Sequence, residues 1–145
     1  MNRLQISTNF WLDEFICPEI YGKFGHASRW FLHYPIVEVC QYIRTTTGKP
    51  VTINNWYTGG SYEYSGLRPL TGDVGAEHSL HRYGRAADIK IKGMQPVEVK
   101  AFIKEHWPQL QQLGLTTIEN IIHTPTWTHL DCRNTGSSKL LIVNP

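Results

Sequence analysis

The stretch Ser79-Leu80-His81-Arg82-Tyr83-Gly84-Arg85-Ala86-Ala87-Asp88-Ile89-Lys90-Ile91-Lys92 changes character on either side of its glycine. After Gly84 the residues alternate, with Asp88, Lys90 and Lys92 against Ile89 and Ile91. That two-residue period predicts a strand over Ala87 to Lys92 with one polar and one apolar face. Gly84 and the small residues Ala86 and Ala87 allow a turn to lie close against the strand that follows. His81 on that turn and Asp88 at the strand's start can therefore converge on one point. Farther along, Trp127-Thr128-His129-Leu130-Asp131-Cys132 alternates again, with His129 and Asp131 on one face and Leu130 and Cys132 on the other. Two strands with one wet and one dry face call for a sheet covered on a single side.

The rest of the chain supplies the cover. From Pro35 to Thr46, Ile36, Val37, Val39, Cys40 and Ile43 recur at helical spacing, Pro35 suits a first turn and Gly48 lies just past the end. Pro96 to Trp107 predicts a second helix, opened by proline with Glu98 early. Thr8 to Glu19 predicts a short opening helix that stops before Pro18. Pro50 to Trp56 and Thr116 to Ile122 read as further strands, with a turn at Thr124-Pro125 before the last one. Tyr57 to Glu77 holds five glycines and Pro69, so it is expected to be a long irregular loop, a kind of segment that usually carries function. The predicted architecture is a single α+β domain over residues 1–145, a small antiparallel sheet flanked by helices.

Bulk composition narrows the function. The 145 residues are enough for one self-sufficient core, and a formal charge of +2 with interspersed acidic and basic residues argues against a nucleic-acid partner. Nothing approaches the roughly 20 apolar residues of a membrane span. Met1 to Glu14 lacks the apolar run of a signal peptide, so synthesis and residence in the cytoplasm are expected unless something else carries the protein out. Cys17, Cys40 and Cys132 are odd in number and widely spaced, which predicts buried, reduced thiols instead of a disulfide framework or thiolate zinc finger.

The segment from Ser79 to Asp88 fits S-x-H-x-x-G-x-A-x-D, and Trp127 to Asp131 supplies W-x-H-x-D about forty residues later. The five fixed positions of the first pattern would occur by accident on the order of once in ten thousand such chains. Together the two motifs resemble the zinc D-Ala-D-Ala carboxypeptidase and phage endolysin peptidase family, whose domain has the hedgehog-type fold. Thr8 to Phe15 also looks like an opening segment of the shorter members.

The resemblance implies Zn2+ held by His81, Asp88 and His129, with Ser79, Gly84 and Ala86 shaping the turn. Zinc in such a site polarises the scissile carbonyl and activates a water. Ser65-Gly66-Leu67-Arg68 matches the family's Ser-Gly-x-Arg segment, which assigns Arg68 as a clamp on a substrate oxygen. Ser79 and Trp127 are further candidates for substrate contact. Better-studied members place a carboxylate three residues before the last histidine, or a histidine two before it; here those positions are Thr126 and Trp127. The remaining candidates for the base are Asp131, Glu119 and His123. Asp131 is favoured for its strand face, either as base or as the partner that orients His129. His78 reads as a loop histidine near the metal, and His26, His33 and His106 as packing or surface residues. Trp56, Tyr57, Tyr62 and Tyr64 fit a groove or simple packing equally well.

The expected function is a zinc peptidase cutting peptidoglycan peptides near D-alanine, suited to a phage lysis or virion-associated role. The alternative is a zinc-stabilised structural or cell-wall-binding module that has lost its base. A dipeptidase acting on D-Ala-D-Ala would differ from the first in having a closed pocket instead of an open groove.

Overall fold

A computed structural model describes residues 2–145. Proline sets where several helices begin. Pro18 and Pro35 occupy the first turns of α1 (Pro18–Phe24) and α2 (Pro35–Thr47), where a missing N–H costs nothing. The opening segment is thus corrected: it forms a 3-10 turn, Leu12–Glu14, and Pro18 starts a helix instead of following one. Gly48 ends α2 at φ 66°, as its position predicted.

Strand β1 keeps only Val51–Thr52 of the predicted Pro50 to Trp56. Beyond it the hydrogen bonds turn to other partners. The Asn54 N–H donates to the Glu14 carbonyl at 3.0 Å, and the Asn54 amide bridges the Ile16 carbonyl and the Ser65 N–H. The loop that follows is irregular, as expected, apart from a 3-10 turn at Trp56–Thr58 and a bridge between Ile16 and Leu67. A 3-10 turn at Leu80–Tyr83 leads into β2 (Ala86–Ile91). The predicted helix after β2 is two: α3 (Pro96–Glu105) and α4 (Trp107–Leu113), divided at His106 because Pro108 cannot continue a preceding helix. Strands β3 (Thr117–Glu119), β4 (Thr128–Asp131) and β5 (Leu141–Val143) complete the chain.

The five strands form one sheet in the order β1-β2-β4-β3-β5. The α+β class is borne out, with one change: β3 and β5 are parallel, so the sheet is mixed. On one face Ile89, Ile91, Leu130 and Ile118 pack against Ile36, Val37, Cys40 and Ile43 of α2 and Val99, Ile103 and Leu110 of α3 and α4. Covering a side chain of this size stabilises the fold by about 1.5–3 kcal/mol. A smaller cluster, Leu12, Ile16, Tyr21 and Leu67, anchors the loop beside β2. The three cysteines are free and buried. Among the described residues no helix is long and apolar enough to cross a membrane.

Candidate metal centre

The face of the sheet away from α2 and α3 collects the polar residues. In the β2–β4 ladder Asp88 is the direct partner of His129, and Ala86 of Asp131. In the β3–β4 ladder Thr117 faces Asp131, and the two-residue period puts Glu119 on the same side as Thr117. Asp88, His129 and Glu119 therefore come from three neighbouring strands.

His81 arrives from the turn before β2. The Ser79 hydroxyl accepts the His81 N–H at 3.3 Å, and the turn closes at Gly84 with φ 66°. A Cβ on Gly84 would lie 2.1 Å from the Phe31 carbonyl oxygen, so no side chain fits there. The Ser65 to Arg68 segment braces the arrangement from beside β2. The Asp88 N–H donates to the Ser65 carbonyl at 2.7 Å and the Arg68 N–H to the His81 carbonyl at 3.1 Å. Gly66 runs so close to the opening segment that its Cβ would meet the Phe15 oxygen at 2.3 Å.

The three side chains converge. His81 Nε2 lies 3.2 Å from Asp88 Oδ1 and 3.2 Å from His129 Nδ1, and His129 Nδ1 lies 3.0 Å from Asp88 Oδ1. This is a group that could hold a metal ion. Tetrahedral bonds of about 2.0–2.2 Å would space ligand atoms roughly 3.3–3.6 Å apart, within a few tenths of what is seen. Two imidazole nitrogens and one carboxylate oxygen are also the donor types of a catalytic zinc site with one position left for water.

Each ring is held by its other nitrogen. His81 Nδ1 donates to the Gly66 carbonyl at 2.9 Å, which leaves Nε2 as the free donor. His129 Nε2 donates to Asp131 Oδ2 at 2.9 Å, which leaves Nδ1. Asp131 is itself clasped by Arg133, whose Nε reaches Oδ1 at 2.8 Å and Nη2 reaches Oδ2 at 2.5 Å. Arg68 Nη2 contacts the second oxygen of Asp88 at 3.2 Å, while its Nε donates to the Tyr64 carbonyl.

Electrostatics follow from this packing. Burial opposes charge on Asp88, but the two imidazoles beside it more than offset that and hold its carboxyl below the usual range. Burial likewise disfavours imidazolium at His129, yet the bonds to Asp131 and Asp88 raise it to about 9 in the metal-free protein. Asp131 is pushed up by burial and down further by Arg133 and His129, for a net lowering.

An open cleft of about 500 Å³ lies over the three side chains. Arg68, Ser79, Trp127 and Glu119 line it, as does His78 from the loop, and Val143 to Pro145 form one wall. Glu119 Oε1 stands 4.0 Å from His129 Nδ1, on the metal side of the ring. Asp131 does not reach the cleft: it is 0% exposed, lies behind His129, and has both oxygens engaged. Of the three base candidates, Asp131, Glu119 and His123, it is Glu119 that lines the cleft, where Glu77 from the loop also stands. Thr126 lines a separate depression beyond Trp127, and His123 lies outside the cleft.

None of Trp56, Tyr57, Tyr62 and Tyr64 lines the cleft. Trp56 and Tyr57 pack edge-on against Tyr21, Tyr62 lies under Lys90, and the Tyr64 hydroxyl donates to Glu19. His26 bonds the Asn2 carbonyl and His106 stacks on Phe102, which agrees with their reading as packing and surface residues. Arg133 went unnoticed in the sequence. Its place two residues after Asp131, at a strand end, was the available signal.

The family model described as Peptidase M15 matches residues 8–125, a span that includes His81 and Asp88 and ends just before the last motif. Comparison with curated proteins finds no match. Comparison with solved structures finds none either.

Proposed function

Because the chain belongs to the peptidase M15 family, we propose that it is a zinc-dependent peptidase hydrolysing peptide bonds in peptidoglycan stems or cross-links. The observation that carries this reading is the convergence of His81, Asp88 and His129 within 4.8 Å, under a cleft that also presents a carboxylate and a guanidinium. When bound there, zinc supplies Lewis acidity, polarising a carbonyl and making water acidic near neutral pH.

The chain's own residues supply the rest. Glu119 is the general base: it takes a proton from the attacking water as the water oxygen bonds to the scissile carbonyl carbon. It then delivers that proton to the amine nitrogen as the C–N bond breaks. Arg68 has its guanidinium on the cleft wall and holds a substrate carbonyl or carboxylate oxygen. Its contact with Asp88 also fixes the second oxygen of that ligand. Asp131 is a positioning residue, holding His129 with Nδ1 forward, and Arg133 keeps Asp131 charged for that purpose. Ser79 caps the turn that carries His81, and Trp127 bounds the substrate.

The alternative, a zinc-stabilised module without catalysis, rests on Thr126 and Trp127 standing where better-studied members carry their base. Glu119 is the feature that favours the enzyme. The deciding experiment incubates zinc-loaded protein with purified peptidoglycan and counts newly exposed amino groups. Release by the parent but not by His81→Ala or Glu119→Gln supports the peptidase. Zinc retention with no release by the parent supports the module. A phage lysis or virion-associated role is compatible with either.

A further inference from the structure

One side of the cleft over His81, Asp88 and His129 is built from a loop. Gly75, Ala76, Glu77, His78 and Ser79 line it, and the first four belong to a stretch, residues 70–78, that is exposed throughout and holds no helix or strand. Ser65 to Leu67 before that stretch and His81 and Arg82 after it are buried. A segment with so little buried surface of its own keeps its place only through the contacts that grip it.

Arg82 supplies the grip. Its Nη1 donates to the Leu70 carbonyl at 2.7 Å and its Nη2 to the Gly72 carbonyl at 2.8 Å. The residue is 7% exposed, and its Nε is buried without a partner. Among the described residues no carboxylate forms an ion pair with it. A guanidinium stays charged and is costly to leave bare away from water, so the two loop carbonyls are what makes its burial tolerable. The tether works both ways: the loop is held down by the arginine, and the arginine is satisfied only while the loop is down. Arg82 does not itself line the cleft, so any effect on a substrate passes through the loop.

Farther along, the loop closes on Arg68. Gly75 has φ 78°, and a Cβ there would stand 2.5 Å from Arg68 Nη1. The other two nitrogens of that guanidinium are engaged, Nε with the Tyr64 carbonyl at 2.6 Å and Nη2 with Asp88 at 3.2 Å. Nη1 is what remains for a substrate oxygen, and the loop decides how much room it has.

We propose that Arg82 is a positioning residue for substrate binding. By gripping Leu70 and Gly72 it seats residues 70–78 against Arg68, so that Gly75 sets the space at Nη1 and Glu77 and His78 stay in the cleft wall. This rests on the peptidase reading above and concerns how that site takes its substrate. The metal group and Glu119 are held by strands and by the turn before β2, so loss of the grip weakens substrate binding and leaves the chemical step in place.

The test uses zinc-loaded parent, Arg82→Gln, Arg82→Lys and Gly75→Ala, with soluble muropeptides as substrate. Arg82→Gln should raise KM by about tenfold, the order expected for the loss of charge-assisted bonds, with kcat within about threefold and zinc affinity unchanged. Arg82→Lys keeps the charge and can reach one carbonyl, so it should recover part of the loss. Gly75→Ala lies in the exposed loop, where the core is untouched, and should raise KM by at least about threefold with Arg82 still in place. A protease cutting after Glu77 should nick Arg82→Gln at least about fivefold faster than the parent. Equal nicking refutes the grip. Parental KM in both Arg82→Gln and Gly75→Ala, or a fall in kcat and zinc affinity with KM unchanged, overturns the proposal.

Calorimetry separates this proposal from the peptidase reading. If the parent hydrolyses nothing but binds the muropeptides about tenfold tighter than Arg82→Gln does, the positioning role stands and the peptidase reading alone fails. No binding to the parent, or equal binding to both, refutes the positioning role.

Discussion

Replacing Asp131 by asparagine separates two roles that a buried carboxylate next to a metal ligand can have. The amide keeps the shape but removes the charge, and it sets an N–H group against either Arg133 or His129 Nε2. The geometry favours the orienting role, since the Asp131 oxygens meet His129 Nε2 at 2.9 Å and Arg133 at 2.8 and 2.5 Å, and none of the residue lines the cleft. Removal of such a partner typically weakens metal affinity by about 10–100-fold. That corresponds to about 1.4–2.7 kcal/mol of binding free energy. The assay is competition for zinc against a fluorescent chelator, run beside peptide hydrolysis at saturating zinc. Asp131→Asn should show the weakened affinity and regain much of its rate once the site is filled. Unchanged zinc affinity with a rate loss of about 100-fold or more, not restored by zinc, would mean that Asp131 acts as the base and would refute this reasoning.

Three further outcomes follow from the same geometry. Glu119→Gln should keep zinc and lose about 10²–10⁴ in kcat, read at saturating substrate and metal; a near-parental kcat would remove Glu119 as base. Gly66→Ala forces a Cβ to within 2.3 Å of the Phe15 oxygen and displaces the carbonyl that holds His81, so thermal denaturation should come at least about 4 °C lower and zinc should bind more weakly. In the metal-free protein His129 is raised to about 9 from an ordinary value near 6.5. Its contribution to stability is then complete below about pH 6.5 and lost as pH rises through about 9. Melting temperature without zinc should fall between pH 7 and 10, and zinc binding at pH 7 should release about one proton, measured by calorimetry in buffers of different ionisation enthalpy.

The central constellation was legible because its chemistry is local. The residues from Ser79 to Asp88 encode turn, glycine and strand in one run, and the alternation around His129 tells which face it takes. Helix α2 was legible for the same reason, since proline, a period of apolar residues and Gly48 mark both ends. Strand pairing was not. Nothing within Thr117–Glu119 reveals that Glu119 will sit beside His129 instead of at a sheet edge; that depends on the β3–β4 register, which the whole core fixes. The alternation puts Asp131 on the face it takes, but its burial between Ala86 and Thr117 and its clasp by Arg133 depend on strand pairing and a side-chain contact invisible to periodicity. The parallel pairing of β5 arises from a long return of the chain, and its exposed short run carries too little pattern to announce a strand. Pro18 as a helix start and Pro108 as a helix break both follow from the missing N–H.

X-ray absorption at the zinc edge on the loaded protein tests the metal centre without any assumption about substrate. One zinc per chain, bound by two imidazole nitrogens and carboxylate or water oxygens at about 2.0–2.2 Å, is the expected spectrum, and it should collapse in His81→Ala. A sulfur shell at about 2.3 Å, or unchanged zinc ligation in His81→Ala, would contradict the account.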